Sequence, residues 1–212
     1  MLKKVPQQAR SRQMVDFILE GAARVLNAAP LAETTTNRIA EVAGVGIGSL
    51  YQYFDDKEAI ALSLLQQHLK ESAAMVRNAR LASDGQGVSE RLRTIFVECL
   101  RDHRGKPMLH LNLIDVCGAV PSAARFDASI GTMVDDISAI LRDHRPEAHV
   151  DHIRLCATSL HQSIVMLVHA AICRPNLERD GTIIGHFEAL DAANRQVLDL
   201  HLRHGVRAAA AS

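Results

Sequence analysis

The sequence predicts an all-α chain: an N-terminal three-helix helix-turn-helix domain followed by a C-terminal helical domain. Three observations carry this. Apolar residues recur at helical spacing through most of the chain. Glycine and proline interrupt the pattern where helices should end. Residues 35–57 read as two short helices joined by a glycine turn, with a third helix starting behind them.

Residues 9–29 form the first predicted helix, with Met14, Ile18, Ala22, Val25 and Ala29 at helical spacing and Phe17 and Leu26 widening the stripe. Pro30 stops it, and Leu31–Thr34 form a loop. Thr35 caps the next helix, because a hydroxyl just before a helix accepts an orphan backbone N–H. Ile39, Ala40 and Ala43 share one face. Gly44 stands where the chain needs a left-handed residue. Val45 plugs the turn, and Gly46 is a weaker cap for a short helix Ile47–Tyr53, whose Leu50 and Phe54 are spaced to pack inward.

A long helix starts near Asp55 or Asp56, with Asp55 and Glu58 at capping-box spacing, and runs to about Arg80. Ser83–Gly87 breaks it. Helices are then expected over Ser89–His103, Met108–Val116, Pro121–His144, 148–174 and 181–204. The run from Ile164 to Cys173 is apolar nearly all round. Ten residues fall short of the ~20 needed to span a bilayer, so both sides of this helix call for protein cover. Apart from the Ala208–Ala211 tail, no repeat or low-complexity segment is evident.

Lys plus Arg equals Asp plus Glu at 24 each, so overall charge does not announce a nucleic-acid binder. The first twelve residues differ, holding Lys3, Lys4, Arg10 and Arg12 with no acid. Residues 13–57 hold only Arg24, Arg38 and Lys57 as cations, against six acids. A basic arm of this kind can touch phosphates or the minor groove; it reads equally as a solvated tail. The four cysteines (Cys99, Cys117, Cys156, Cys173) lie far apart, which suits free thiols in a reducing cytoplasm. The N-terminus has no apolar core of a signal peptide.

The string Thr-x3-Ile-Ala-x2-Ala-Gly-Val-x4-Leu-Tyr-x-Tyr-Phe-x2-Lys-Glu, from Thr35 to Glu58, resembles the DNA-binding domain of the TetR family of bacterial transcription regulators. The match covers roughly residues 10–65. The resemblance implies a DNA-binding domain over 1–57 and an effector-binding and dimerisation domain over 58–212. It implies a homodimer, usually a repressor, released from a palindromic operator by a small molecule. Two recognition helices related by a two-fold axis enter successive major grooves about 34–36 Å apart.

In the recognition helix, Ile47, Ser49, Gln52 and Tyr53 are expected to be exposed. Gln52 suits a bidentate contact with adenine, Ser49 donates or accepts, and Ile47 covers a thymine methyl. Thr35, Thr36 and Tyr51 contact phosphates, as the resemblance implies. Lys57 opposes the dipole of its own helix, so a phosphate contact would explain it. Family members often carry serine and then a basic or polar residue where this chain has Gly46 and Ile47, and Gly46–Phe54 contains no cation. A small salt slope and reliance on base edges and the arm are therefore expected.

The resemblance also implies that the two C-terminal helices pair with their copies in a four-helix dimer interface. Ile164, Leu167 and Val168, with Ile183, Phe187, Leu190 and Val197, are the expected contributors. The effector would lie among the C-terminal helices. Only Phe96, Phe126 and Phe187 are aromatic after residue 57, so the pocket should be lined by aliphatic, Met, Cys and His side chains. Phe96, Cys99, His103, His110, Phe126, His161 and Met166 are the candidates. This favours an aliphatic or small polar effector over planar cations, which aromatic faces hold.

No cofactor or metal is expected. His149-x2-His152 and His201-x2-His204 each place two imidazoles on one helix face, but neither has an obvious third ligand. Redox sensing would need an activated, exposed thiol, for which Cys117 is the best placed. A competing reading is a helical enzyme using residues such as His110 and Asp115, although no nucleophile motif or phosphate-cradling loop supports it. Another is a helical small-molecule-binding protein or interaction module without a DNA-binding role.

Overall fold

The computed structural model describes residue 3 and residues 8–119, 127–174, 176 and 181–209. Among these there are nine α-helices and no strand. They are α1 (Ala9–Ala28), α2 (Thr36–Ala43), α3 (Ile47–Tyr53), α4 (Lys57–Ala82), α5 (Val88–Arg104), α6 (Pro107–Ala119), α7 (Asp127–His144), α8 (Val150–Cys173) and α9 (Thr182–Ala209), with a 3-10 turn at Leu31–Glu33. Of the helix expected to open at Pro121, Asp127–His144 is described; Pro121 and residues 122–126 lie outside the described residues.

The chain divides into two compact units, one of Met1–Lys70 with Gly105–Phe126, the other of Glu71–Arg104 with Asp127–Ser212. Compactness therefore cuts the chain elsewhere than at residue 57, where the DNA-reading elements were expected to end. The reason is α6, which packs on α1 and so joins the first unit.

In the first unit, Ile18, Ala22, Leu26, Ile39, Leu50, Phe54 and Ile60 are fully buried. Phe17 was expected inside but is 45% exposed. It sits one residue, about 100° of helix, away from the Ile18–Ala22–Val25 row, and Val15 takes its place in the core. Gly21, which the periodicity did not single out, lets α1 and α2 meet. A Cβ built there would lie 2.6 Å from the Ala43 Cβ and 2.7 Å from its Cα. Gly44 ends α2 in the left-handed region at φ 69°, ψ 30°, as expected. The Val45 N–H then reaches the carbonyl of Ala40 at 3.0 Å, closing the turn.

The start of α4 differs in detail from the expected capping box. Asp56, not Asp55, accepts the N–H of Ala59 at 2.7 Å. Helical geometry begins at Lys57, which leaves Asp56 in the capping position three residues before the amide it serves.

The second unit is built around α8, which packs on α5, α7 and α9. Phe96 of α5 stacks on Phe187 of α9 with ring centroids 4.4 Å apart and planes 10° from parallel. Leu92, Ile95, Ile137, Ile140, Ile153, Leu160 and Ile183 complete the core. Two buried carboxylates are matched inside it. Asp136 receives Arg80 at 2.7 Å and Arg77 at 3.4 Å, and Asp191 receives Arg195 at 3.0 Å. Burial of a charge is tolerable only with such partners.

By length and composition α8 is apolar enough to cross a membrane, more than its C-terminal ten-residue run suggested. The structure uses that character as core: Ile153, Cys156, Ala157, Leu160, Ile164, Val168 and Ala171 are all buried.

Candidate nucleic-acid interface

The reading helix α3 is presented by its neighbours. Leu50 and Phe54 anchor it with no exposed surface, and the glycine turn sets its angle to α2. Opposite the anchors, Ile47, Gly48, Tyr51 and Gln52 are exposed, while Ser49 and Tyr53 are half-buried. The exposed face thus includes Gly48 and Tyr51 beyond the expected set.

Hydroxyl groups surround this face. Thr35 accepts the N–H of Arg38 at 3.2 Å, the N-cap bond read from the sequence. Its own O–H remains a donor. Thr36 Oγ1 and the Tyr51 hydroxyl lie 2.9 Å apart. Only one proton fills that bond, so the pair keeps a second O–H for an acceptor such as a phosphate oxygen.

The cations of residues 13–57 are otherwise engaged. Arg24 donates to the carbonyl of Val42 at 2.8 Å. Arg38 pairs with Glu41 at 2.7 Å on the surface. Lys57 directs its ammonium to three carbonyls, Leu31 at 2.8 Å, Ala32 at 3.1 Å and Thr34 at 3.0 Å. In this structure the Lys57 ammonium is engaged within the protein. An ammonium has three donors, and all three hold the 3-10 turn ahead of α2. The unfavourable dipole position is explained by that clasp without a phosphate.

On the far side of the turn, Asn112 of α6 completes the hold. Its side-chain carbonyl accepts the N–H of Leu31 at 2.7 Å. Its amide donates to the carbonyls of Leu26 at 2.7 Å and Ala29 at 3.0 Å. Sequence reasoning missed Asn112. An amide set between Leu111 and Leu113 in the predicted helix was the signal that could have found it.

The effector candidates scatter. Phe96, Cys99 and His161 are buried in the second unit, and His103 is bonded to the Cys99 carbonyl at 2.8 Å. Burial, with the charges of Asp102 and Glu98 adding to it, pushes the Cys99 thiol up to about 12, so it is not an activated nucleophile. Cys156 is raised by burial as well. Cys117 is exposed, as expected, and so is Cys173. His110 belongs to the first unit, where its ring meets that of His68 edge-on at 4.6 Å. Met166 is 69% exposed and lines no interior of the chain. Phe126 lies outside the described residues. Three buried polar atoms of the second unit, Arg91 Nε, Ser138 Oγ and His161 Nδ1, have no hydrogen-bond partner among the described residues.

The expected dimer residues also divide. Ile164, Val168, Ile183 and Phe187 are buried within the chain, and Leu167 is half-buried. A side chain already covered by its own core has no surface left for a partner. Leu190 and Val197 are exposed at 39% and 45%. Leu155 and Met166 of α8 are more exposed still, one above the other on the helix with Ser159 and Gln162 between them.

Residues 18–64 match the family described as "Bacterial regulatory proteins, tetR family". Residues 88–190 match "Tetracyclin repressor-like, C-terminal domain". A comparison with curated proteins finds no match. Among solved structures, the chain is similar to a TetR-family transcriptional regulator from Streptomyces coelicolor, at 26% identity and TM-score 0.65, over 87% of this chain and 99% of that one. It is also similar to a candidate transcriptional regulator from Pseudomonas aeruginosa PAO1, at 19% identity and TM-score 0.68, over 91% and 100%. A third is FadR from Bacillus subtilis, solved in complex with stearoyl-CoA, at 17% identity and TM-score 0.60, over 87% and 96%. The two family matches fall on the helix-turn-helix and on the helices of the second unit, and the chain belongs to the TetR family of bacterial transcription regulators.

Proposed function

We propose that this regulator acts as a homodimeric repressor that reads a roughly palindromic operator through base edges and hydroxyl contacts more than through side-chain cations. The observation that carries this is the engagement of Arg24, Arg38 and Lys57 within the protein, beside a recognition helix whose exposed face is Ile47, Gly48, Tyr51 and Gln52. Thr35, Thr36 and Tyr51 supply phosphate contacts. Ile47, Ser49, Gln52 and Tyr53 face the bases, and Gly46 and Gly48 let the backbone approach.

The dimer forms through the exposed stripes Leu155–Met166 on α8 and Leu190–Val197 on α9. The effector binds within the second unit, where His161 and Ser138 offer buried polar atoms without partners. Its few aromatic residues, and the stearoyl-CoA complex of the FadR relative, support an effector with an aliphatic chain. Binding shifts the population toward a dimer that no longer fits the operator; the molecule is bound without turnover. The site of action is the cytoplasm, where the operator is.

Selection of bound duplexes from a random pool by the full-length protein tests this reading, followed by a salt titration on the winner. A two-fold symmetric site with half-sites about one helical turn apart is expected. Its salt slope should be shallow. No enrichment at low salt by a folded, effector-free dimer would overturn it.

A further inference from the structure

A cation at the end of the recognition helix comes from far away in the sequence. Lys3, in the basic N-terminal arm, makes three contacts there. Its backbone N–H donates to the carbonyl of Tyr53 at 2.8 Å. Its ammonium donates to the carbonyl of Tyr51 at 3.3 Å and pairs with Asp55 at 2.6 Å. Tyr51 and Tyr53 lie in the last turn of α3, where carbonyls have no partner within the helix and where a cation is favoured by their orientation. Asp55 is available because Asp56 provides the cap of α4.

We propose that Lys3 is a positioning residue for DNA recognition: it fastens the C-terminal end of the recognition helix to the arm through Tyr51, Tyr53 and Asp55, and does not act as a phosphate contact. The α3 helix has only seven residues, too short to hold its own direction without tertiary support. Its entry is set by the glycine turn and its anchors by Leu50 and Phe54. The Lys3 contacts fix the remaining degree of freedom, the last turn that carries Tyr51 and Gln52. This inference rests on the DNA-reading role of α3.

The test uses the operator selected by the wild-type protein, so that failure of wild type to enrich a site would count against the DNA-reading role and not against Lys3. Lys3→Gln and Asp55→Asn are then measured on that operator across a salt series. Positioning makes both variants bind three- to tenfold more weakly, with the salt slope unchanged. The Lys3→Gln/Asp55→Asn double variant should be no weaker than either single variant, and Lys3→Arg should retain most of the affinity. Simple electrostatics gives the opposite for Asp55→Asn, since removing an acid near DNA tightens binding. A phosphate contact would lower the slope by about 0.9 in Lys3→Gln. Tighter or unchanged binding by Asp55→Asn, or a lowered slope in Lys3→Gln, would overturn the proposal. Thermal melts of both variants, expected within a few degrees of wild type, separate a positioning defect from unfolding.

Discussion

The ammonium of Lys57 sits 2.8 Å from the carbonyl oxygen of Leu31. The same residue's N–H is taken by Asn112 at 2.7 Å. The turn between α1 and α2 has little regular structure of its own, yet its backbone groups are satisfied from α4 on one side and α6 on the other. Backbone groups removed from water cost about 1–3 kcal/mol each when their partner is lost. The clasp therefore sets where α2, and with it the recognition helix, begins.

Replacing Lys57 by Met keeps the aliphatic stem and removes all three donors. The melting temperature should fall, in keeping with a loss of about 1–3 kcal/mol, and operator binding should weaken with it. Asn112→Asp keeps the acceptor for Leu31 but loses both donors, and should be as damaging as Asn112→Ala. A Lys57→Met protein with unchanged melting but a reduced salt slope would restore the phosphate reading of this lysine.

Gly21 is held by geometry. A methyl group there collides with Ala43 at 2.6 Å, backbone included, so neither side can yield by a rotamer change. Gly21→Ala should cost about 1–3 kcal/mol and displace α2 from α1. Chemical denaturation gives the first quantity and operator affinity the second. A neutral substitution would mean that the helices separate freely.

The two kinds of apolar residue on α8 and α9 should respond differently. Met166→Asp together with Val197→Asp should convert the dimer to monomer in sedimentation velocity while leaving helix content intact. Phe187→Ala removes the stacking partner of Phe96 and should cost about 3–5 kcal/mol of stability. If Phe187→Ala instead dissociated a fully stable protein, the interface would include the ring the structure places in the core.

Acid should destabilise the fold through two histidines that folding partly removes from water. Burial lowers His161 below 6.5, and His169 is lowered by burial and by the charge of His103. These rings protonate in the unfolded chain near 6.5 but resist it when folded. The unfolded state therefore binds more protons as pH falls, and stability falls with it. The urea midpoint should be flat above about pH 7.5 and decline below about pH 6.5. His161→Gln should flatten part of the decline; a midpoint that rises on acidification would contradict the burial of these rings.

The sequence by itself determined the helices, the glycine turn and the family. Thr35, Gly44, Leu50 and Phe54 act through bonds and spacings local to a few residues, and local geometry repeats wherever the same string occurs. The tertiary structure decided which apolar face is core and which is free. Phe187 and Leu190 belong to the same predicted stripe, yet one lies against Phe96 and the other faces outward. Helical periodicity marks an apolar face but not what covers it. The partners of Lys57, Asn112 and Lys3 were likewise beyond reading in sequence, because each joins residues far apart in the chain. A charged or amide side chain carries no mark of its acceptor until folding brings the two together.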